Sequence, residues 1–443
     1  MREHKTGRLA RYRTYLLSVL TIILLFNYLD RVALGLLLQD IKIDLHLSDT
    51  QLGFLGGIAF ALFYSVMGIP IARWADRGNR VAIISIAAAA WSVMVALCGA
   101  AGNFVQLLLV RVGVAVGEAG CTPPAFSLLA EYFDRVDRPR ATAIYSMGGA
   151  LSSVVGFLLA GWLNELYGWR ITFVLLGLPG LVLAALAWFT LREPRRTTPT
   201  AKAAVPAPPP GLKEVGLTLW ANRSFRHLLL CFSVVMFFFY GVLQWQPTFF
   251  IRSFALKTGT LGTWLSLTWG GGCLLGSYLS GELSARYAAR NEPLQLKVMA
   301  IAVGLSGVLS TFIYLSSNQY IAFGLIGVAF IFLSTINGPL FATIQSLVPE
   351  RMRAVSFALV YLVANLLGMG FGPLLVGVLS DALRPLAGEE SLRYAMLMMA
   401  PGYLWAAWHA WRASKTVARD VALASIDHGF SARGPDRVVC TSA

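Results

Sequence analysis

Twelve stretches of about 20 mostly apolar residues follow one another along this chain, centred near residues 26, 62, 90, 116, 154, 181, 239, 273, 306, 334, 367 and 402. Each is long enough to cross a bilayer as a helix, which satisfies its own backbone hydrogen bonds where water is absent. With 57% of its 443 residues hydrophobic and only 13% charged, the chain lacks the polar surface of a soluble domain. It reads as an all-α integral membrane protein. An even number of crossings places both ends on one side.

The net charge of +14 would suit nucleic acid if it formed one patch. Instead 28 of the 36 Lys and Arg fall on one alternating set of segments, including the N-terminus, ARWADRGNR, DRVDRPR and LREPRR. The opposite loops carry Lys42, Arg170, Arg252, Lys257, Arg384 and Arg393. That asymmetry is the positive-inside pattern, so the charge reports topology, with both termini cytoplasmic and no nucleic-acid partner. The basic start and apolar run imitate a signal peptide, but the run is too long, lacks a small-residue cleavage site and precedes eleven more spans. The cysteines at 98, 121, 231, 273 and 440 have neither CxxC nor metal-ligand spacing. The histidines at 4, 46, 227, 409 and 428 sit in tails, loops or near span ends and read as interfacial. With no GxxxxGK[ST], HExxH or nucleophile elbow, the sequence points to no ATP motor, no enzyme, no metal and no cofactor.

The boundaries read as a cytoplasmic N-terminus at 1–13, six spans over 14–191, and a cytoplasmic linker at 192–226 rich in proline, alanine and basic residues. Six more spans occupy 227–412, and a polar, loosely ordered tail follows at 413–443. GFLLAGWL (Gly156 to Leu163) and GPLLVGVL (Gly372 to Leu379) match, each following an Arg-Ala pair, Arg140-Ala141 and Arg353-Ala354. A parallel six-plus-six duplication is the build of transporters whose halves rock about a central site. The glycine spacing alone more often signals close helix packing.

Four ionisable residues lie deep in spans: Asp30 and Arg31 in the first, Arg111 and Glu118 in the fourth. Arg111 and Glu118 are about two turns apart and share a face. If the first span ends near 38 and the antiparallel fourth begins near 104, Asp30 and Arg111 both lie about 11 Å below the outer edge, and Glu118 about 10 Å deeper. Matching depth predicts a cluster in which two carboxyls and two arginines exchange partners. A static lock is the alternative, but buried ion pairs stabilise little, whereas intramembrane charges mark pathways. Glu118 is the first candidate to exchange a proton and Asp30 the second. Arg31 and Arg111 are candidates for an anionic group. Tyr240, Gln244 and Trp245 in the seventh span, Asn337 in the tenth and Asn365 in the eleventh are candidates for a cavity wall, although aromatic residues in spans commonly face lipid or pack. The second half has no deep charge, which fits an amphiphile with its head in the first half and its chain along the second.

These residues also carry a family resemblance. NYLDR (Asn27 to Arg31), RVGVAVGEAGCTPPAFSLLAEYF (Arg111 to Phe133) and PERMRAVSFALVYLVANLLGMGFGP (Pro349 to Pro373) resemble bacterial members of the Spinster family, within the major facilitator superfamily, over residues 14 to 412. That family is related to animal lysolipid and sphingosine-1-phosphate transporters. The resemblance implies two pseudo-symmetric six-helix bundles, alternating access, and a monomer in the bacterial inner membrane. It also implies proton-dependent switching at Glu118 and Asp30, and headgroup binding at Arg31 and Arg111. ARWADRGNR is similar to the superfamily's GxxxDRxGRR loop: Asp76, Arg77 and Arg80 match, while Ala72 and Asn79 replace glycines. Asp76 would then meet the positive end of a second-half helix beginning near Arg353 and latch the cytoplasmic side. The counterpart, GELSAR, has Ala285, so the latch is one-sided. Two other readings stay open: a proton or sodium symporter of small organic anions such as hexuronates, whose branch shares NYxDR, and a membrane receptor or sensor without transport.

Overall fold

The computed structural model describes residues 2–134, 136–194, 212–287, 291–348 and 352–432, and these are helical with short connections. Nine stretches among the described residues are long and apolar enough to cross a membrane. Two of them are double crossings. The 53 residues Arg138–Thr190 would span about 80 Å if straight, and the helix breaks at Gly168, whose φ of +76° only glycine adopts without strain. Val355–Leu423 turns at Gly388–Glu390. Thr258–Leu265 and Gly271–Tyr287, joined through the π-helical Ser266–Gly270, supply the remaining crossing. The twelve expected crossings are all present. They are α1 (Ala10–Leu45), α2 (Asp49–Ala75), α3 (Arg80–Cys98), α4 (Phe104–Tyr132), α5 (138–167), α6 (169–190), α7 (Arg223–Phe254), α8 (258–287), α9 (Glu292–Leu315), α10 (Gln319–Leu347), α11 (353–387) and α12 (391–432).

Two boundaries differ from the sequence reading. A short helix, Leu212–Ala221, lies inside the expected linker, and α7 starts at Arg223. The linker's proline-rich centre, 195–211, lies outside the described residues. At the other end α12 continues to Ala432 rather than stopping at 412. The cause is packing: Ala410, Ala413 and Val417 are fully buried on one helical face. Beside them Ser224 on α7 bonds Thr416 at 2.7 Å and takes Asp420 as acceptor at 2.9 Å.

Several helices break at mid-span. α2 is interrupted at Gly57, α4 at Ala119–Cys121, α8 at its π-turn, α10 at Ser334–Ile336, and α11 at the π-helical Leu366–Phe371. Such interruptions are common at functional sites because they free backbone groups and re-aim side chains.

The halves meet where α5 crosses α8 and α2 crosses α11. A Cβ on Gly161 would meet the Thr258 carbonyl at 2.4 Å, and one on Gly377 the Asp49 carbonyl at 2.3 Å. Gly161 and Gly377 are the sixth residues of the two matching octapeptides. The repeat therefore has a packing role: each copy seats the start of a helix from the opposite half. A set of hydrogen bonds and ion pairs joins the halves at the central level and toward the side opposite the termini. This arrangement is closed on that far side.

Gly161→Val is expected to hold α5 and α8 apart. Spin labels at the exposed Leu166 and Lys257 positions should then report a new, longer distance population by electron paramagnetic resonance; an unchanged distribution would contradict this packing role.

Candidate functional site

Adjacent residues on a helix point about 100° apart, so Asp30 and Arg31 meet different partners on α4. Arg111 Nη1 donates to Asp30 Oδ2 at 2.7 Å. Arg31 Nε and Nη2 both donate to Glu118 Oε2, at 2.8 and 2.5 Å. Glu118 is the last residue before the break in α4. Asp30, Arg111 and Glu118 are buried, while the Arg31 side chain keeps 12% of its exposure. Its guanidinium lies 4.7 Å from each of the Tyr28, Phe60 and Tyr64 rings, and Nη1 is 3.8 Å from Met369 Sδ in the second half. Between the halves, Arg31, Arg111, Phe60, Tyr240, Gln244 and Met369 help enclose a cavity of about 30 Å³. That is far below the roughly 300–1,000 Å³ of ligand pockets, so the centre is collapsed in this conformation.

The cluster is only half satisfied. Asp30 Oδ1, Glu118 Oε1, Arg111 Nε and both amide atoms of Asn27 have no hydrogen-bond partner. A partly satisfied polar network in low dielectric is costly and makes a poor permanent lock. Asp30 and Glu118 are neighbours within this cluster.

The other residues singled out in the sequence divide into groups. Tyr240 and Gln244 line the cavity, and Gln244 Nε2 reaches across the halves to the Leu52 carbonyl at 2.9 Å. Trp245 is buried and donates to the Pro373 carbonyl at 2.8 Å, which pins α7 to α11 inside the second half. Asn337 is exposed at the start of the lower part of α10, and Asn365 is half-buried before the π-turn of α11. Neither lines the central cavity. Arg80 is buried, pairs with Glu131 at 2.5 Å and with Glu193, and donates to the Ser127 carbonyl at 3.2 Å. Glu131 and Ser127 lie on α4 in the first half, and Glu193 lies just after α6. Arg77 is exposed, and the side chains of Asp76, Ala285 and Arg353 lie outside the described residues.

A second charged set, unmarked in the sequence reading, closes the far side. Asp49 is buried at the start of α2 and accepts from Arg252 Nη1 and Nη2 at 2.8 and 2.7 Å, Lys42 Nζ at 2.5 Å and Ser380 Oγ at 2.7 Å. Arg252 Nε also donates to Gln39 Oε1 at 2.8 Å. Asp381 accepts from the backbone N–H groups of Asp49 and Thr50, at 3.1 and 2.7 Å. In the mirrored place, Glu165 accepts from the Gly259 N–H at 2.9 Å. Each acid lies four residues after the glycine of its repeat and caps a helix belonging to the other half. One residue earlier the pattern holds too: Asn164 donates to Thr258 Oγ1 at 3.3 Å, as Ser380 donates to Asp49. A carboxylate at a helix N-terminus contributes about 0.3–1 kcal/mol, up to ~2 when partly buried. The sequence signal was GxxxE at 161–165 and GxxxD at 377–381, which acquires meaning only when the halves are apposed.

Twelve crossings in two parallel repeats, pinned at one side of a buried charge cluster, are the build of membrane transporters whose halves rock about a central site. The Major Facilitator Superfamily profile matches residues 20–373. A solved bacterial homologue of the human lysosomal transporter Spinster, inward-facing and unoccupied, is similar with a TM-score of 0.79 at 31% identity, covering 92% of this chain and 98% of that one. An MFS-type efflux pump of Mycolicibacterium smegmatis is 31% identical over 405 residues, 91% of this chain and 93% of the relative. A probable L-galactonate transporter of Escherichia coli is 25% identical over 408 residues, 89% and 87%. The chain belongs to the Major Facilitator Superfamily and is Spinster-like within it.

Removing both caps, with Glu165→Gln and Asp381→Asn together, is expected to loosen far-side closure while leaving the helical content intact. A cysteine at Leu34, which lines the cavity, should then react several-fold faster with a membrane-impermeant maleimide added from that side. No change in rate would refute the capping role.

Proposed function

We propose that this protein is a proton-coupled secondary transporter that moves a lysolipid or sphingolipid-like amphiphile by alternating access. Its proposed setting is the bacterial inner membrane, as a monomer with both termini cytoplasmic, as the asymmetry of Lys and Arg favours. The observation that carries the reading is the position of Arg31. Of the four central charges it has the most exposed side chain, it lies at the cavity between the halves, and it directs both donors to Glu118.

An anionic headgroup that binds Arg31 must displace Glu118. Leaving that carboxylate buried, charged and unpaired would cost about 3–5 kcal/mol, and taking up a proton avoids the cost. Protonated Glu118 can then donate to Asp30 instead of accepting from Arg31. Substrate binding and protonation therefore favour each other, and the coupling is reciprocal. As pH falls, Arg31 is released and headgroup affinity rises; as pH rises, Glu118 reclaims Arg31 and affinity falls.

The second half supports an amphiphile rather than a small dianion. Its contributions to the cavity are Tyr240, Leu243, Gln244, Met369 and Pro373, with no charge among them. An acyl chain gains about 0.8 kcal/mol per buried CH₂ against such a wall. In the alternate state the Asp49–Arg252 set separates, and Asp76, with Arg77 and Arg80 in its loop, latches the cytoplasmic side against the start of α11. The similarity to a probable L-galactonate transporter favours one second reading, a symporter in which Arg31 and Arg111 clamp a sugar-acid carboxylate. The receptor reading gains nothing from the relatives, which are transporters by name.

Uptake into proteoliposomes of a labelled lysophospholipid, compared with a labelled hexuronate, separates the two readings. Lysophospholipid flux is expected to respond to an imposed pH gradient, to lose that response in Glu118→Gln, and to fall by more than about ten-fold in Arg31→Ala, as for a lost charge-assisted contact. Hexuronate flux without lysophospholipid flux would overturn the amphiphile assignment.

A further inference from the structure

A cavity of about 480 Å³ opens away from the central charges, on the termini side, where α7 begins and the crossing part of α12 ends. Its volume falls in the range of ligand pockets, roughly 300–1,000 Å³. Arg223 and Arg226 enter it from α7, Arg412 and Lys415 from α12, with His227 and Trp220 beside them. Four cations converge on one concavity, and among the described residues no carboxylate stands within ion-pair distance of any of them. Asp420, on the same helix, is engaged with the Ser224 N–H.

We infer that this pocket binds the phosphate of an anionic phospholipid. Like charges gathered without a counter-charge repel, and a phosphate with several acceptor oxygens relieves that repulsion while bonding more than one guanidinium. The pocket is built rather than incidental. The Arg226 guanidinium lies 6.0 Å from the Trp220 ring and that of Arg412 lies 5.7 Å from Trp408, contacts that orient both groups. The Nδ1 atoms of His227 and His409 are 3.0 Å apart, which ties α7 to α12 at the pocket's edge.

The lipid source is favoured over a soluble phosphate by what surrounds the cations. The short helix Leu212–Ala221 leaves Leu217 and Trp220 exposed, and Leu230 is exposed one turn deeper on α7 where it lines the pocket. Exposed tryptophan and leucine belong at headgroup level, and Leu230 offers an acyl chain a path along α7. Basic pockets between helices at this level suit phosphorylated headgroups. Part of the charge that reports topology thus has a second role, independent of the transported substrate.

The test uses native mass spectrometry of the detergent-purified full chain, offered phosphatidylglycerol or phosphatidylcholine. Wild type is expected to retain phosphatidylglycerol preferentially. Arg223→Ala, Arg412→Ala and Lys415→Ala together should lower that retention by about ten-fold or more, whereas Arg73→Ala, Arg140→Ala and Lys297→Ala together should leave it unchanged. If the first triple variant fails to fold, Lys415→Glu alone is expected to lower retention in the same sense. Equal retention by site variant and wild type would overturn the proposal. Millimolar inorganic phosphate displacing phosphatidylglycerol and stabilising the wild type equally well would overturn the lipid assignment in favour of a soluble phosphate ester.

Discussion

A guanidinium in the middle of a membrane needs an anion, and in the proposed mechanism the identity of that anion sets the state of this protein. In the closed, collapsed arrangement the anion for Arg31 is Glu118, held by two donors at 2.8 and 2.5 Å. The neighbouring pair, Arg111 with Asp30 at 2.7 Å, is more deeply buried, although Arg111 also lines the cavity. Breaking either pair without a replacement costs more than most single contacts in the fold provide. In the proposed cycle, an incoming headgroup and an incoming proton are the two replacements that let Arg31 and Glu118 part together. In that cycle the centre chooses between two arrangements, each of which gives Arg31 an anion.

The rest of the fold makes that choice felt at the surface. The repeated GxxxE and GxxxD segments place a glycine at each crossing and an acid at the start of each apposed helix. These contacts are backbone-deep but few, and those at the α2/α11 crossing adjoin one buried carboxylate, Asp49, shared by Arg252 and Lys42. Few contacts of high geometric demand suit a surface that must form completely or separate completely. The breaks in α2 and α8 fall between the centre and these contacts, those in α4, α10 and α11 fall near the central level, and all provide places where the helices can bend.

Much of this was legible in the sequence, and what was not has physical reasons. Helix count, the duplication and the four central charges follow from apolar run lengths and from charges where they are costly. Depth arithmetic matched Asp30 to Arg111, but pairing Arg31 with Glu118 depends on helix rotation, which one sequence does not specify. Asp49 and Arg252 went unmarked because charges at span ends are normally solvated, and only the meeting of the halves buries them. Trp245 illustrates the converse: an aromatic residue in a polar stretch reads the same whether it faces a cavity or, as here, pins α7 to α11. The extension of α12 was hidden by polar residues, because its burial comes from alanines and Val417 against the start of α7.

The central claim is that Arg31 exchanges Glu118 for substrate and that the exchange takes up a proton. Calorimetric titration of the detergent-purified protein with a lysophospholipid, repeated in buffers of different ionisation enthalpy, measures that proton directly. The account predicts net uptake approaching one proton per bound lipid in the wild type and none in Glu118→Gln. Binding to the wild type with no proton uptake at any pH between 5 and 8, the range about which proton-switching sites operate, would contradict it.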